Sequence, residues 1–160
     1  MIGLLLLAAA AAAPRPEWAE AEPAALEVVS PRLSVGEVVV GDGEALGADD
    51  LAVVTYLGWF EDGTPWDSTL DWPAAPARPE GTARLLLSDP RVPQRWVKAL
   101  VGMRVGGVRR LELRAEPGEA PAPPALRMAF RLEAVEHPPE GPSPCPRAPR
   151  GRWGRTGSWT

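Results

Sequence analysis

The stretch LAVVTYLGWFEDGTPWDSTL, residues 51–70, and the stretch VPQRWVKALVGMRVG, residues 92–106, decide the fold. The first opens with Val53, Val54 and Thr55, β-branched residues that suit the pleated, half-buried surface of a sheet. It predicts a strand over 51–57. Tyr56 stands two positions before Gly58, and the chain then turns at Glu61-Asp62-Gly63-Thr64, where glycine supplies the positive φ of a hairpin turn. An aromatic residue, Trp66, comes directly before Asp67-Ser68. The second stretch puts Trp96, Val97 and Leu100 on one apolar face of a helix over 92–100, with Pro93 tolerated in its first turn and Gly102 ending it.

Working outward, residues 33–40 read as a strand that ends at the turn Gly41-Asp42-Gly43. A strand resumes over 84–87. Residues 108–113 end in alternation, with Leu111 and Leu113 inward and Arg110 and Glu112 toward solvent, as in a half-solvated antiparallel strand. The last strand, 126–135, carries Met128, Phe130 and Leu132 on one face. Pro73, Pro76 and Pro79 exclude a helix or a central strand over 70–81, which reads as a surface loop. One helix among several antiparallel strands is an α+β arrangement.

The bulk composition agrees. In 160 residues, 20 prolines and 16 glycines are too many for a helical bundle and favour strands and turns. The length supports one modest domain, read as 26–137, with tails. A net charge of −4 gives no general case for nucleic acid. The single cysteine, Cys145, and the single histidine, His137, exclude an internal disulfide, Cys/His metal clusters and His-dependent triads. No metal and no cofactor is implied, so any chemistry here needs neither a metal nor a nucleophile.

The apolar run 2–13, IGLLLLAAAAAA, is too short to span a bilayer, which takes roughly 20 residues. Its length suits a secretory signal, and Ala19-Glu20-Ala21 offers a small-residue cleavage site. Residues 1–21 are therefore read as a leader and 22–25 as a linker, with a secreted or periplasmic protein expected. The rival is a floppy Ala-rich leader on a cytoplasmic protein. From 14 to 25 the chain is mostly Pro, Ala and Glu, which cannot bury enough to order itself. Residues 138–160 form a Pro- and Arg-rich tail expected to be disordered. Arg147, Arg150, Arg152 and Arg155, interleaved with Trp153 and Trp159, could also meet phosphates, although composition favours the disordered reading.

Taken in order, Tyr56, Trp66-Asp67, Val92, Trp96 and Phe130 resemble the FKBP family of peptidyl-prolyl isomerases. The resemblance implies a curved antiparallel sheet wrapped around one short helix. It also implies a proline pocket, with Tyr56, Trp66, Asp67, Trp96 and Phe130 as catalytic residues and Val92 lining the site. Singly, each has a plainer reading. Tyr56, Val92 and Phe130 could be ordinary core, Asp67 a capping carboxylate, and Trp96 is buried against the sheet in either case. The implied ligands are proline-containing protein segments and FK506-like macrolides, taken by a monomer that assists protein folding, with no nucleic acid and no transmembrane segment.

The chemistry suits such residues. The rotational barrier of roughly 18–20 kcal/mol reflects lost amide resonance. The planar amide is the more polar state, so an apolar, water-excluding pocket favours the twisted one.

Departures from the family pattern point to weakened activity. Ala83 stands where the family has a pocket aromatic, and Arg91 where it has an acid. Pro93 replaces a residue whose N–H bonds the ligand, and proline has no N–H. The segment LELRAEPGEAPAPP, residues 111–124, is shorter than the family's pocket loop; Pro117 replaces a tyrosine, and Ala122 an isoleucine that would line the pocket. Trp72, in the long flap, has two readings: a solvent-facing loop anchor, or a side chain folded back toward the space left at Ala83 to meet the substrate. A non-catalytic protein-binding module on the same scaffold is the rival reading, and a holdase chaperone a third.

Overall fold

A computed structural model describes residues 14–70, 81–115 and 124–138. Trp72, Ala122, the apolar run 2–13 and residues 139–160 lie outside the described residues. Within them stand helix α1 (Glu17–Glu20), strands β1 (Glu27–Ser30), β2 (Leu33–Val39), β3 (Leu51–Phe60), β4 (Pro65–Ser68) and β5 (Ala83–Leu86), helix α2 (Gln94–Leu100), and strands β6 (Val108–Leu113) and β7 (Leu126–Glu136). All pairings are antiparallel, in the order β1-β2-β6-β7-β3-β4, and β5 pairs with the start of β3 where β4 pairs with its end. The fold is α+β, a curved sheet packed on a short helix.

The inner face of the sheet carries the main core. Val54 and Tyr56 from β3, Leu111 from β6, and Met128, Phe130 and Leu132 from β7 are all buried there, and Ala99 and Leu100 of α2 press against them. Period-two alternation in β7 produces this face, as the sequence predicts. Helix α2 begins later than the sequence predicts, at Gln94, because Pro93 disfavours helical φ/ψ at Val92. Its end is held by Arg109, whose guanidinium donates to the carbonyls of Ala99 (2.7 Å) and Val101 (3.0 Å). Gly102 then turns the chain at φ +82°.

Two expectations fail on the outer face. The Pro/Ala/Glu segment forms α1, and its Ala19 is fully buried with Leu57, Trp59 and Ala129. Arg110, expected in solvent, is 4% exposed beneath this segment. Its guanidinium donates to the carbonyls of Ala19 (2.8 Å) and Ala21 (2.9 Å) and pairs with Glu22 (3.1 Å). Arg15 and Arg110 both lie over the Trp59 indole, 4.6 and 5.0 Å from its centroid. The segment has too little apolar surface of its own to fold, and it borrows the outer surface of β3 and β7.

Candidate active site

Antiparallel pairing sets Tyr56 of β3 directly opposite Phe130 of β7. Cross-strand neighbours on one face bring their side chains together, and these two rings are 5.3 Å apart. Helix α2 lowers Trp96 onto both, 5.5 Å from Tyr56 and 5.3 Å from Phe130, in edge-on geometry. Such contacts contribute about 0.5–1.5 kcal/mol each beyond area burial. Trp66 of β4 meets Trp96 edge-on at 6.4 Å and is 42% exposed, forming a rim to a cluster in which Tyr56 and Phe130 are buried and Trp96 is half-buried.

Trp66 can lie there because of Gly58. The β3–β4 register sets Gly58 opposite Asp67, and a Cβ built on Gly58 would come within 2.8 Å of the Trp66 ring. Asp67 turns its carboxylate to the Tyr56 hydroxyl. Its Oδ2 accepts the Tyr56 hydroxyl proton at 2.5 Å, and its Oδ1 accepts the Ser68 N–H at 2.8 Å.

Two residues that the sequence reading did not select position this pair. The Tyr56 N–H donates to Thr69 Oγ1 (3.0 Å), the Thr69 N–H donates back to the Tyr56 carbonyl (3.0 Å), and the Ser68 hydroxyl donates to the same carbonyl (3.4 Å). Both hydroxyl residues are fully buried. Buried hydroxyls are retained where they satisfy backbone groups, and Ser68-Thr69 straight after an aromatic-acid pair is the signal that could have revealed them.

Val92 is buried and shares a cleft of about 610 Å³ with Tyr56, Asp67, Pro93 and Trp96. Arg91 also borders it, bound to Asp89 at 2.6 Å, and this partner holds the Asp89 carboxyl at about 2. Ala83 is buried opposite Val54, so only a methyl group occupies that position. The structure thus brings Tyr56, Trp66, Asp67, Val92, Trp96 and Phe130 into one neighbourhood.

The family model for FKBP-type peptidyl-prolyl cis-trans isomerases matches residues 43–119. A FK506-binding protein of Neisseria meningitidis serogroup C is 30% identical over 89 residues, covering 52% of this chain and 75% of that protein. The chain belongs to the FKBP-type family. FkpA of Escherichia coli shares the fold, with a TM-score of 0.56 at 23% identity over 73% of this chain and 54% of FkpA, so the chain spans about half the length of that protein. A peptidyl-prolyl cis-trans isomerase of Pseudomonas syringae pv. tomato is 22% identical over 70% of this chain and 81% of its own, with a TM-score of 0.49. The FKBP-type match takes in Tyr56, Trp66, Asp67, Val92 and Trp96 and ends before Phe130.

Proposed function

We propose that this chain is a peptidyl-prolyl cis-trans isomerase that assists protein folding, with lower activity than a family member whose pocket is complete. The observation that carries this is the convergence of Tyr56, Trp96 and Phe130 under the Tyr56–Asp67 hydrogen bond. A proline ring resting on Trp96 would exchange water for aromatic surface. The planar amide, being more polar, loses more by that transfer than the twisted one, which lowers the rotational barrier. Asp67 is oriented by two donors, which fixes its carboxylate and the Tyr56 hydroxyl at the cleft where the amide would rotate. FK506-like macrolides would occupy the same cleft.

Lower activity follows from two departures, Pro93 lining this cleft and Ala83 in the buried core. Ala83 contributes a methyl group where an aromatic wall would exclude water, and Pro93 has no N–H with which to hold the substrate. The same departures favour, as a second reading, a scaffold that holds a protein partner without catalysis. The test is relaxation of a short Xaa-Pro peptide from its cis-enriched state, with wild type and Asp67→Val. Wild type is expected to accelerate relaxation and Asp67→Val to lose about tenfold, the cost of one charge-assisted hydrogen bond. A wild-type rate equal to the spontaneous one, which takes tens of seconds or longer, would leave the binding module standing.

The export reading rests on the apolar run 2–13. Because Arg15 to Glu22 contribute to the ordered outer face, we favour any leader cleavage upstream of Arg15 over one at Ala21.

A further inference from the structure

A second cleft, of about 410 Å³, lies against the candidate proline site, and Pro93 and Trp96 border both. Its remaining walls include Trp66 and three arginines: Arg32 from the turn joining β1 and β2, Arg95 from α2, and Arg114 just past β6. In a chain of net charge −4, three guanidinium groups from three separate elements converge on this cleft. The Arg114 N–H donates to the Arg32 carbonyl at 3.0 Å, which ties two of these backbones together. Arg114 is paired with Glu112, whereas exposed Arg95 has no carboxylate partner among the described residues.

We propose that this cleft is a specificity subsite that takes an acidic side chain of the client segment, two or three residues from the proline. The inference rests on the cleft of Tyr56 and Trp96 being the proline site. A segment with its proline over Trp96 would continue past Pro93 into the second cleft. An extended chain advances about 3.3–3.6 Å per residue, and Trp66, which lines the second cleft and not the first, has its ring 6.4 Å from the Trp96 ring under the proline. A carboxylate carried two or three positions from the proline therefore arrives among the arginines. The apolar surface of Trp66 receives the side chain's methylenes, and Arg95 receives its charge. Complementary charge at a partly solvated site acts through selectivity and association rate, and it weakens with salt.

The test compares matched Xaa-Pro peptides that differ only in Glu or Gln at the second residue from the proline, on each side in turn. A third peptide keeps Glu and has Ala in place of proline. Affinity is read from tryptophan fluorescence and from peptide cis/trans exchange by NMR. The Glu-Pro peptide is expected to bind about fivefold more tightly than its Gln partner at low salt, with most of that ratio lost near 1 M salt. Arg95→Gln, a surface change, is expected to erase the ratio while leaving Gln-peptide affinity and melting temperature unchanged; Arg95→Lys retains most of it. Equal Glu and Gln affinities in wild type overturn the subsite and leave the proline site intact. Equal binding of the proline-free Glu peptide also overturns it, since the anion would then be recognised without the proline. Failure of both the Glu and the Gln proline peptides to bind removes the proline-site reading and this inference together.

Discussion

At the scale of single residues, Gly58 shows how little space separates the site from a different one. No special backbone angle requires glycine there; the Trp66 indole simply occupies the volume of a side chain. Gly58→Ala is expected to push Trp66 away from Trp96 and to cost about 1–3 kcal/mol, the range for overpacking a filled position. The change in tryptophan fluorescence and the denaturation midpoint check it, and an unmoved emission spectrum would mean that the ring has another resting place. The aromatic neighbourhood was legible in the sequence because Tyr56, Trp96 and Phe130 are large residues in a recognisable order. The roles of Gly58, Ser68 and Thr69 were not legible. Each depends on what stands opposite across a strand pair, and residue type alone does not carry that.

Elements tell a related story on the other side of the sheet. β3, β6, β7 and α2 were readable from periodicity, since each supplies its own apolar pattern. Helix α1 was not, because four residues of mixed polarity have no pattern, and their burial comes from Leu57, Trp59 and Ala129. Misreading α1 also misread Arg110, whose alternation is correct but whose outward face is roofed. A chain beginning at Glu22 would lose the Ala19 carbonyl, the rest of α1 and the Arg15 stack on Trp59. It is expected to be destabilised by about 3 kcal/mol, with a melting temperature lower by roughly 10 °C or more. Arg110→Met in the shortened chain is expected to recover part of that, since it removes the guanidinium left without its acceptors. Calorimetry on the three proteins checks both.

For the molecule as a whole, His137 fastens the C-terminal end of the domain to its body. One ring nitrogen meets Asp50 and the other Glu44, each at 2.8 Å, which fastens the chain after β7 to the loop between β2 and β3. The Asp50 hydrogen bond, and then that of Glu44, raises the His137 pKa, while the Gly47 N–H and then His137 lower that of Asp50. A raised histidine stabilises fully below its unfolded value, about 6.5, and loses that contribution as pH rises through the folded value. A lowered carboxylate contributes fully above its unfolded value, about 3.9, and loses it as pH falls through the folded one. The clamp is therefore strongest between about pH 4 and 6.5 and loosens toward alkaline pH. Melting temperature followed from pH 5 to 9 should fall more steeply for wild type than for His137→Gln; parallel curves would show that the clamp adds nothing. The roof over Arg110 has a consequence in time rather than in strength. Its hydrogen bond to Ala19 spans 91 residues, so a segment made early has no seat until β6 is in position. Contacts that close so long a loop are costly to form first and are commonly completed late. Interactions absent from the folding transition state slow unfolding without hastening folding. Residues 15–22 thus set how long the domain stays folded, and contribute little to how quickly it gets there.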